Sequence, residues 1–501
     1  MKQTDAHRGA NSIARIVFVG LSVVAQAAWI IVQIVALNRY SVYISLCSSL
    51  LAALVVLKLY SGHTNAAMKM PWIMLILVFP VMGLSLYLLI VVCGDLGGTK
   101  KRLRAVRRQM PQPENSRVPA GMEWSRSIVK SGYPVYGDTD VRYFAEAKDA
   151  FEALKADLET AGKFIFMEYF IVEDGAAFRE IEEILTRKAA AGVQVRLMYD
   201  DIGSIGVASM KLVRRLNRRG IRCKVFNPAV PFLNLFMNHR DHRKITVIDG
   251  RVGYTGGFNL AGEYFGYSAP LGHWKDTGLR LEGRAVESLT RTFLELWSVT
   301  AREEEDLTPW LGIACPAAGE GYILPFGDDP LDEHRAAEDL YLNLIGSARE
   351  RIWFITPYLI ITDELNRALG LAAKRGVDVR IITPGIPDKK TVYSMTRSYY
   401  GGLARQGVRI YEYTPGFCHA KMCVRDGETA VVGTSNLDFR SLYLHFENDV
   451  ILHRCPAAAD VERDFQAMFE KSTEVTEKYA AGRGAMLLVW QCVLRLFAPM
   501  M

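Results

Sequence analysis

One pattern occurs twice in this chain at a fixed separation. His242, Lys244 and Asp249 stand in an H-x-K-x4-D arrangement, followed by Gly256-Gly257-Phe258-Asn259. His419, Lys421 and Asp426 repeat it, followed by Gly433-Thr434-Ser435-Asn436, with every element displaced by 177 residues. Around the motifs, Lys163 to Tyr169 answers Arg351 to Tyr358, Gly192 to Met198 answers Gly376 to Ile382, and Gly220-Ile221-Arg222 answers Gly407-Val408-Arg409. Matched segments in one order imply two copies of one folding unit. Between Ser125 and Ala480, short apolar β-like runs alternate with helical stretches, the pattern of an α/β architecture. The expectation is a duplicated α/β unit, residues 125–310 and 311–480, closing about a pseudo-twofold axis around one shared cleft.

The spacing gives the motif a chemical meaning. Residues i and i+2 of a strand point to one face, so each His would project beside its Lys. Asp249-Gly250 and Asp426-Gly427 are turn dipeptides that would end the strand, and the next strand would bring Asn259 or Asn436 back to it. Two units face to face offer two imidazoles, two ammoniums and two amides. That set suits a phosphodiester: one His attacks phosphorus, the other protonates the leaving oxygen, and Lys and Asn hold the phosphoryl oxygens. Such a site requires no metal or other cofactor. A lone H-x-K on a strand is commonly structural, whereas packing alone hardly explains its duplication with Asn at identical spacing. His239-Arg240-Asp241 resembles a kinase loop fragment, but no Gly-rich loop or Asp-Phe-Gly accompanies it. His239 and His242 as metal ligands would need a helix, which the β-branched residues after them oppose. The eight cysteines give neither a zinc spacing nor a disulfide framework, and a reducing compartment suits the soluble part.

The first hundred residues are of a different kind. Ile16 to Leu37 and Pro71 to Val92 are each 22 residues without a charge, and Val42 to Leu57 is a shorter run of 16. A membrane span takes about 20 apolar residues, so residues 1–99 are expected to anchor the chain with two or three spans. Pro80 and Gly83 inside the third run do not disqualify it. A cleaved signal peptide ending near Ala25-Gln26-Ala27 is the rival reading, though the apolar run continues past that point. Lys100, Lys101, Arg102, Arg104, Arg107 and Arg108 equal the whole net charge of +6. Their place after the third run favours a cytoplasmic position for the large C-terminal part, and they suit anionic headgroups. Residues 100–124 read as a basic and polar linker, and 481–501 as an apolar tail, either membrane-seeking or packed on the fold. So modest an excess of charge does not indicate a nucleic-acid partner.

The paired motifs resemble those of the phospholipase D superfamily, and nearly the whole chain resembles the bacterial cardiolipin synthases. The run from Gly433 to Ser441 with Glu447 and Asn448 is similar to their second motif; Trp72, Pro80, Gly83 and Tyr87 look like their N-terminal membrane segment. The resemblance implies a phosphatidyltransferase acting on phosphatidylglycerol among anionic membrane lipids, in several spans of the bacterial cell membrane. His242 would take the phosphatidyl group and release glycerol; His419 would act as general acid, then base, as a second phosphatidylglycerol attacks to give cardiolipin. Asp276 and Glu447 stand where the family places carboxylates that orient each His. Asp249 and Asp426 complete the motif, mainly as structural members. Gly257 faces Thr434 across the repeat, so the two halves of the pocket differ. Water as acceptor would make the enzyme a phospholipase D, and another alcohol a different transferase. An inactive membrane scaffold is the reading outside enzymes, opposed by the intact His, Lys, Asp and Asn of both motifs.

Overall fold

A computed structural model describes residues 41–500 apart from 63, 95–96, 114–116, 229–238, 314, 316, 333 and 483–484, together with Val24, Ala28 and Ile31 before them. The chain divides into two units, the smaller holding residues 1–95, 229–238 and 500 and the larger the rest.

In the smaller unit the described residues form the helices Ser41–Ser61, Ala66–Val78 and Pro80–Gly94. The apolar run from Pro71 to Val92 is therefore two helices rather than one span. Pro80 is the cause: the residue before a proline is pushed out of the helical region, and Phe79 sits at φ −130°, ψ 75°. The two helices fold back on each other. Gly83 lies so close to Ile76 that a Cβ there would stand 2.7 Å from the Ile76 Cα, and Trp72 meets Tyr87 edge-on at 5.7 Å. Each helix rises only about 20 Å, short of a hydrocarbon core of about 30 Å. Ala52, Ile76 and Leu84 form the small core of the three helices. Among the described residues no helix is long and apolar enough to cross a membrane. The run from Ile16 to Leu37 falls almost wholly outside the described residues.

The larger unit contains the repeat. Its first sheet runs Thr139–Phe144, Gly278–Gly283, Val252–Gly256, Lys244–Ile248, Phe164–Tyr169, Gln194–Asp200, Arg222–Phe226. The second runs Tyr322–Asp328, His445–His453, Thr429–Gly433, Met422–Arg425, Arg351–Ile355, Asp378–Pro384, Arg409–Tyr413, with Ser472–Glu474 added at the edge. The order of equivalent strands is the same in both. Each sheet carries a parallel part built by helical crossovers and an antiparallel hairpin formed by the motif. The hairpins turn through Asp249-Gly250 and Asp426-Gly427, all four residues at positive φ, as a tight turn matched to strand twist demands. One buried cluster spans both halves: Phe166, Val247, Phe293 and Trp297 of the first join Ile355, Val424, Val432 and Phe465 of the second. Two short parallel pairings also tie the halves, Arg240–Asp241 beside the start of His445–His453 and Gly416–Cys418 beside His273–Lys275.

One segment departs from the sequence expectation. The basic run is no free linker: Gly97–Gln109 is a helix whose Leu103 enters the core together with Met110 just beyond its end. Arg107 reaches Glu295 at 2.9 Å and Asp329 at 3.0 Å. Those contacts draw one of the six basic groups inward and leave Lys101, Arg102, Arg104 and Arg108 exposed. In the C-terminal tail the helix Ala485–Leu496 packs one face on the helix Lys390–Arg405, with Arg495 over the Tyr399 ring at 4.2 Å. Its other face presents Val489, Trp490 and Val493 outward. Removing one partner of a largely buried ion pair leaves the other charge uncompensated, so Arg107→Ala is expected to lower the stability of the larger unit by about 3 kcal/mol. Urea unfolding of the purified protein, compared with Arg107→Lys, measures this.

Candidate active site

The two motif loops meet between the sheets, and the backbone sets their positions. His242 N–H donates to the Phe446 carbonyl at 2.9 Å, and His419 N–H to the Lys275 carbonyl at 2.8 Å. Each His is thus tethered to the other half of the molecule, immediately before the residue that carries the opposing carboxylate. The side chains then cross the same boundary. His242 Nδ1 stands 2.8 and 2.9 Å from the two oxygens of Glu447, and His419 Nδ1 stands 2.7 Å from Asp276 Oδ2. A carboxylate at Nδ1 places the proton there and leaves Nε2 as the reactive nitrogen.

The difference between Gly257 and Thr434 follows from the unequal lengths of these carboxylates. Thr434 Oγ1 donates to Glu447 Oε2 at 2.5 Å. At Gly257 a Cβ would lie 2.0 Å from Asp276 Oδ1, so the shorter acid can reach His419 only past a bare backbone. Lys244 Nζ donates to the His242 carbonyl at 2.6 Å, and Lys421 Nζ to that of His419. Lys421 Nζ also stands 3.1 Å from His419 Nε2. The strands begin at Lys244 and Met422, so each His sits just ahead of its strand while projecting with its Lys.

The remaining sequence-predicted residues fall into two groups. Asn259 and Asn436 line the same cavity as His242 and His419. Asn259 Oδ1 accepts from Ile171 N–H at 3.0 Å and its Nδ2 donates to the Tyr264 hydroxyl at 2.8 Å. Asn436 Oδ1 is buried without a partner among the described residues. Asp249 and Asp426 lie away from that cavity. Asp249 accepts from the N–H groups of Gly162, Lys163 and Phe164 at 2.7 to 2.8 Å. Asp426 does the same for Arg349, Glu350 and Arg351. Each pins the start of the neighbouring strand.

The cavity has a volume of about 520 Å³. Tyr264 stands edge-on to His419 at 5.4 Å, Trp274 and Phe417 flank it, and Phe170 flanks His242 at 5.0 Å. None of these aromatics carried a motif signal. Two polar residues were also missed. His445 lies 5.6 Å from the His242 ring, and Arg440 Nε donates to His445 Nε2 at 3.2 Å. His445 was legible as the i−2 neighbour of Glu447 on one strand face. Among the described residues the one group with metal-ligand spacing is His242, His445 and Glu447. Both Glu447 oxygens in it already face hydrogen-bond donors, His242 Nδ1 and the Thr434 hydroxyl.

Burial tunes the charges. It holds His242 well below the ordinary imidazole value, with Lys244 and Lys421 adding to the effect. Burial and Lys421 bring His419 down to about 4 against the opposing pull of Asp276. Burial brings Lys244 down to about 7 and Lys421 down to about 8, the nearby carboxylates opposing. The site as built from protein groups therefore favours neutral imidazoles, and an arriving phosphate would supply negative charge beside the four nitrogens.

Comparison with known proteins agrees with this geometry. Residues 154–297 and 341–469 match the family described as cardiolipin synthase, PLD-like domain, and residues 49–90 match the phospholipase D-nuclease N-terminal family. An uncharacterized protein of Streptococcus mutans is 38% identical over 89% of this chain and 99% of its own length. A cardiolipin synthase of Halalkalibacterium halodurans is 32% identical over 88% of this chain and 91% of its own. Among solved structures, phosphatidylserine synthase of Haemophilus influenzae shares the fold, with a TM-score of 0.57 over 76% of this chain and 100% of its own at 12% identity. The matched halves are the two sheets that hold His242 and His419, and the chain belongs to the cardiolipin synthase family of phospholipase D-like proteins.

Proposed function

We propose that this chain is a cardiolipin synthase that transfers a phosphatidyl group between two phosphatidylglycerol molecules. One observation carries the reading: two imidazoles, each held at Nδ1 by a carboxylate of the other half, line a single cavity. In the first step His242 Nε2 attacks phosphorus while His419 gives a proton to the departing glycerol oxygen. In the second, His419 takes the proton from the terminal hydroxyl of another phosphatidylglycerol as that oxygen displaces His242. Lys244, Lys421, Asn259 and Asn436 hold the phosphoryl oxygens through both steps. The chemistry comes from protein groups throughout.

The reading includes a bacterial membrane. Val42, Leu46, Leu50, Leu54 and Leu57 are exposed along the helix Ser41–Ser61, a spacing that gathers them toward one side and supports seating these helices in lipid. The basic residues after them support a cytoplasmic site. Lipid attachment would concentrate donor and acceptor in one plane, which favours transfer to lipid over hydrolysis.

Purified protein given phosphatidylglycerol as the only lipid is expected to yield cardiolipin and an equal amount of glycerol by mass spectrometry. Phosphatidic acid in place of cardiolipin would make it a hydrolase, and no turnover of this donor would remove the proposal. His242→Ala and His419→Ala are each expected to lower kcat by about 10³-fold or more, with membrane association retained. Near-normal turnover in either variant would rule out the two-histidine site. The lysines bind phosphate only when protonated, and their depressed values mean that this charge is lost as pH rises through about 7 to 8. kcat/KM, which reports the free enzyme, is therefore expected to begin falling above about pH 7, where Lys244 loses its proton, rather than near the ordinary lysine value of about 10.4. In Lys244→Arg the alkaline limb should move upward, because guanidinium stays charged throughout that range.

A further inference from the structure

The repeat is broken at one charged position inside the cavity. Four residues beyond Asn259 is Glu263; four beyond Asn436, at the same offset of 177, is Arg440. Both line the cavity, so a pocket built by duplication has an acid at one pseudo-symmetric point and a base at the other. Arg440 donates through Nε to His445 Nε2. His445 must then carry its proton on Nδ1, where it faces Glu447 Oε1 at 3.8 Å and lacks a hydrogen-bond partner among the described residues. The nearby acids Asp438 and Asp200 attract Arg440 through space, but each has a closer partner: Asp200 pairs with Arg240 at 3.0 Å, and Asp438 accepts from Ser441 N–H at 2.8 Å. Arg440 makes no ion pair among the described residues, and its two Nη groups remain as a fork.

The two-step reaction has a requirement that the four phosphoryl-binding groups do not meet. While the second phosphatidylglycerol attacks, two phosphorus groups share one cavity, the phosphatidyl held on histidine and the phosphodiester of the acceptor, separated by a single glycerol. The transferred phosphoryl occupies Lys244, Lys421 and the two asparagines. The other phosphate brings a second negative charge, which in a buried site needs a cation of its own. A planar guanidinium with a fixed Nε matches a phosphate bidentately.

We propose that Arg440, held by His445, seats the phosphate of the acceptor lipid, while Glu263 repels phosphate and accepts hydrogen bonds from glycerol hydroxyls. This rests on the cardiolipin synthase reading and adds the acceptor's orientation to it. In the step concerned, the acceptor's terminal oxygen bonds to phosphorus, the phosphorus–nitrogen bond to histidine breaks, and the hydroxyl proton passes to the other imidazole. Free glycerol can enter the same step without a phosphate, regenerating phosphatidylglycerol.

That difference supplies the test. Full-length protein in mixed micelles with phosphatidylglycerol and radiolabelled glycerol reports two rates at once, label exchange into phosphatidylglycerol and cardiolipin formation. In Arg440→Gln the ratio of cardiolipin formed to glycerol exchanged is expected to fall about 10- to 100-fold, the worth of a charged hydrogen-bonded contact. Arg440→Lys, which keeps the charge but loses the fork, should fall in between. A ratio within twofold of wild type in both variants, whether the separate rates hold or drop together, overturns the assignment. Exchange without cardiolipin in the wild-type protein would instead overturn the synthase reading.

Discussion

Each histidine in the cavity is oriented by a carboxylate that belongs to the other repeat. The Glu447–His242 and Asp276–His419 contacts lie beside backbone bonds that cross in the same sense, and beside the two short parallel strand pairings between halves. Isolated imidazoles at this burial would be neutral and unoriented; paired ones have a fixed tautomer and a fixed reactive nitrogen. The sheets, the motif turns pinned by Asp249 and Asp426, and the core shared by both halves all serve to hold two short loops against each other.

The same contacts explain why duplication persists with small asymmetries. Glu447 and Asp276 differ by one methylene, and the difference is absorbed opposite each: Thr434 adds a hydroxyl beside the longer acid, and Gly257 withdraws a side chain from the shorter. Glu263 and Arg440 differ in charge and need no such compensation, because both face the cavity. Differences in the support follow packing, whereas a difference in the lining follows what the cavity must hold.

Much of this was legible in the sequence, for physical reasons that can be named. The repeat at 177 residues exposed the duplicated α/β plan, and strand periodicity placed each Lys beside its His. Asp276 and Glu447 came only through family resemblance, since nothing local marks a residue that acts across the molecule. Tyr264, Trp274 and Phe417 were silent because single aromatics look alike on a wall or in a core. The N-terminal region was read by counting apolar residues, which missed the break that Pro80 forces at Phe79. The basic run was read by counting charges, although Leu103, Val106 and Met110 already had the spacing of a packed helix face.

Crossed carboxylates also bear on the protein's synthesis. A chain leaves the ribosome N-terminus first and its domains tend to fold as they emerge. The first repeat could therefore form with His242 in place while Glu447, some 200 residues later, is still being added. Until then the acid that orients His242 does not exist, and the nascent chain has no complete site with which to open a lipid phosphodiester. A lipid-cleaving activity assembled from two incomplete halves is switched on only when the strand His445–His453 of the second sheet is in place, which spares membrane lipids from a half-made enzyme.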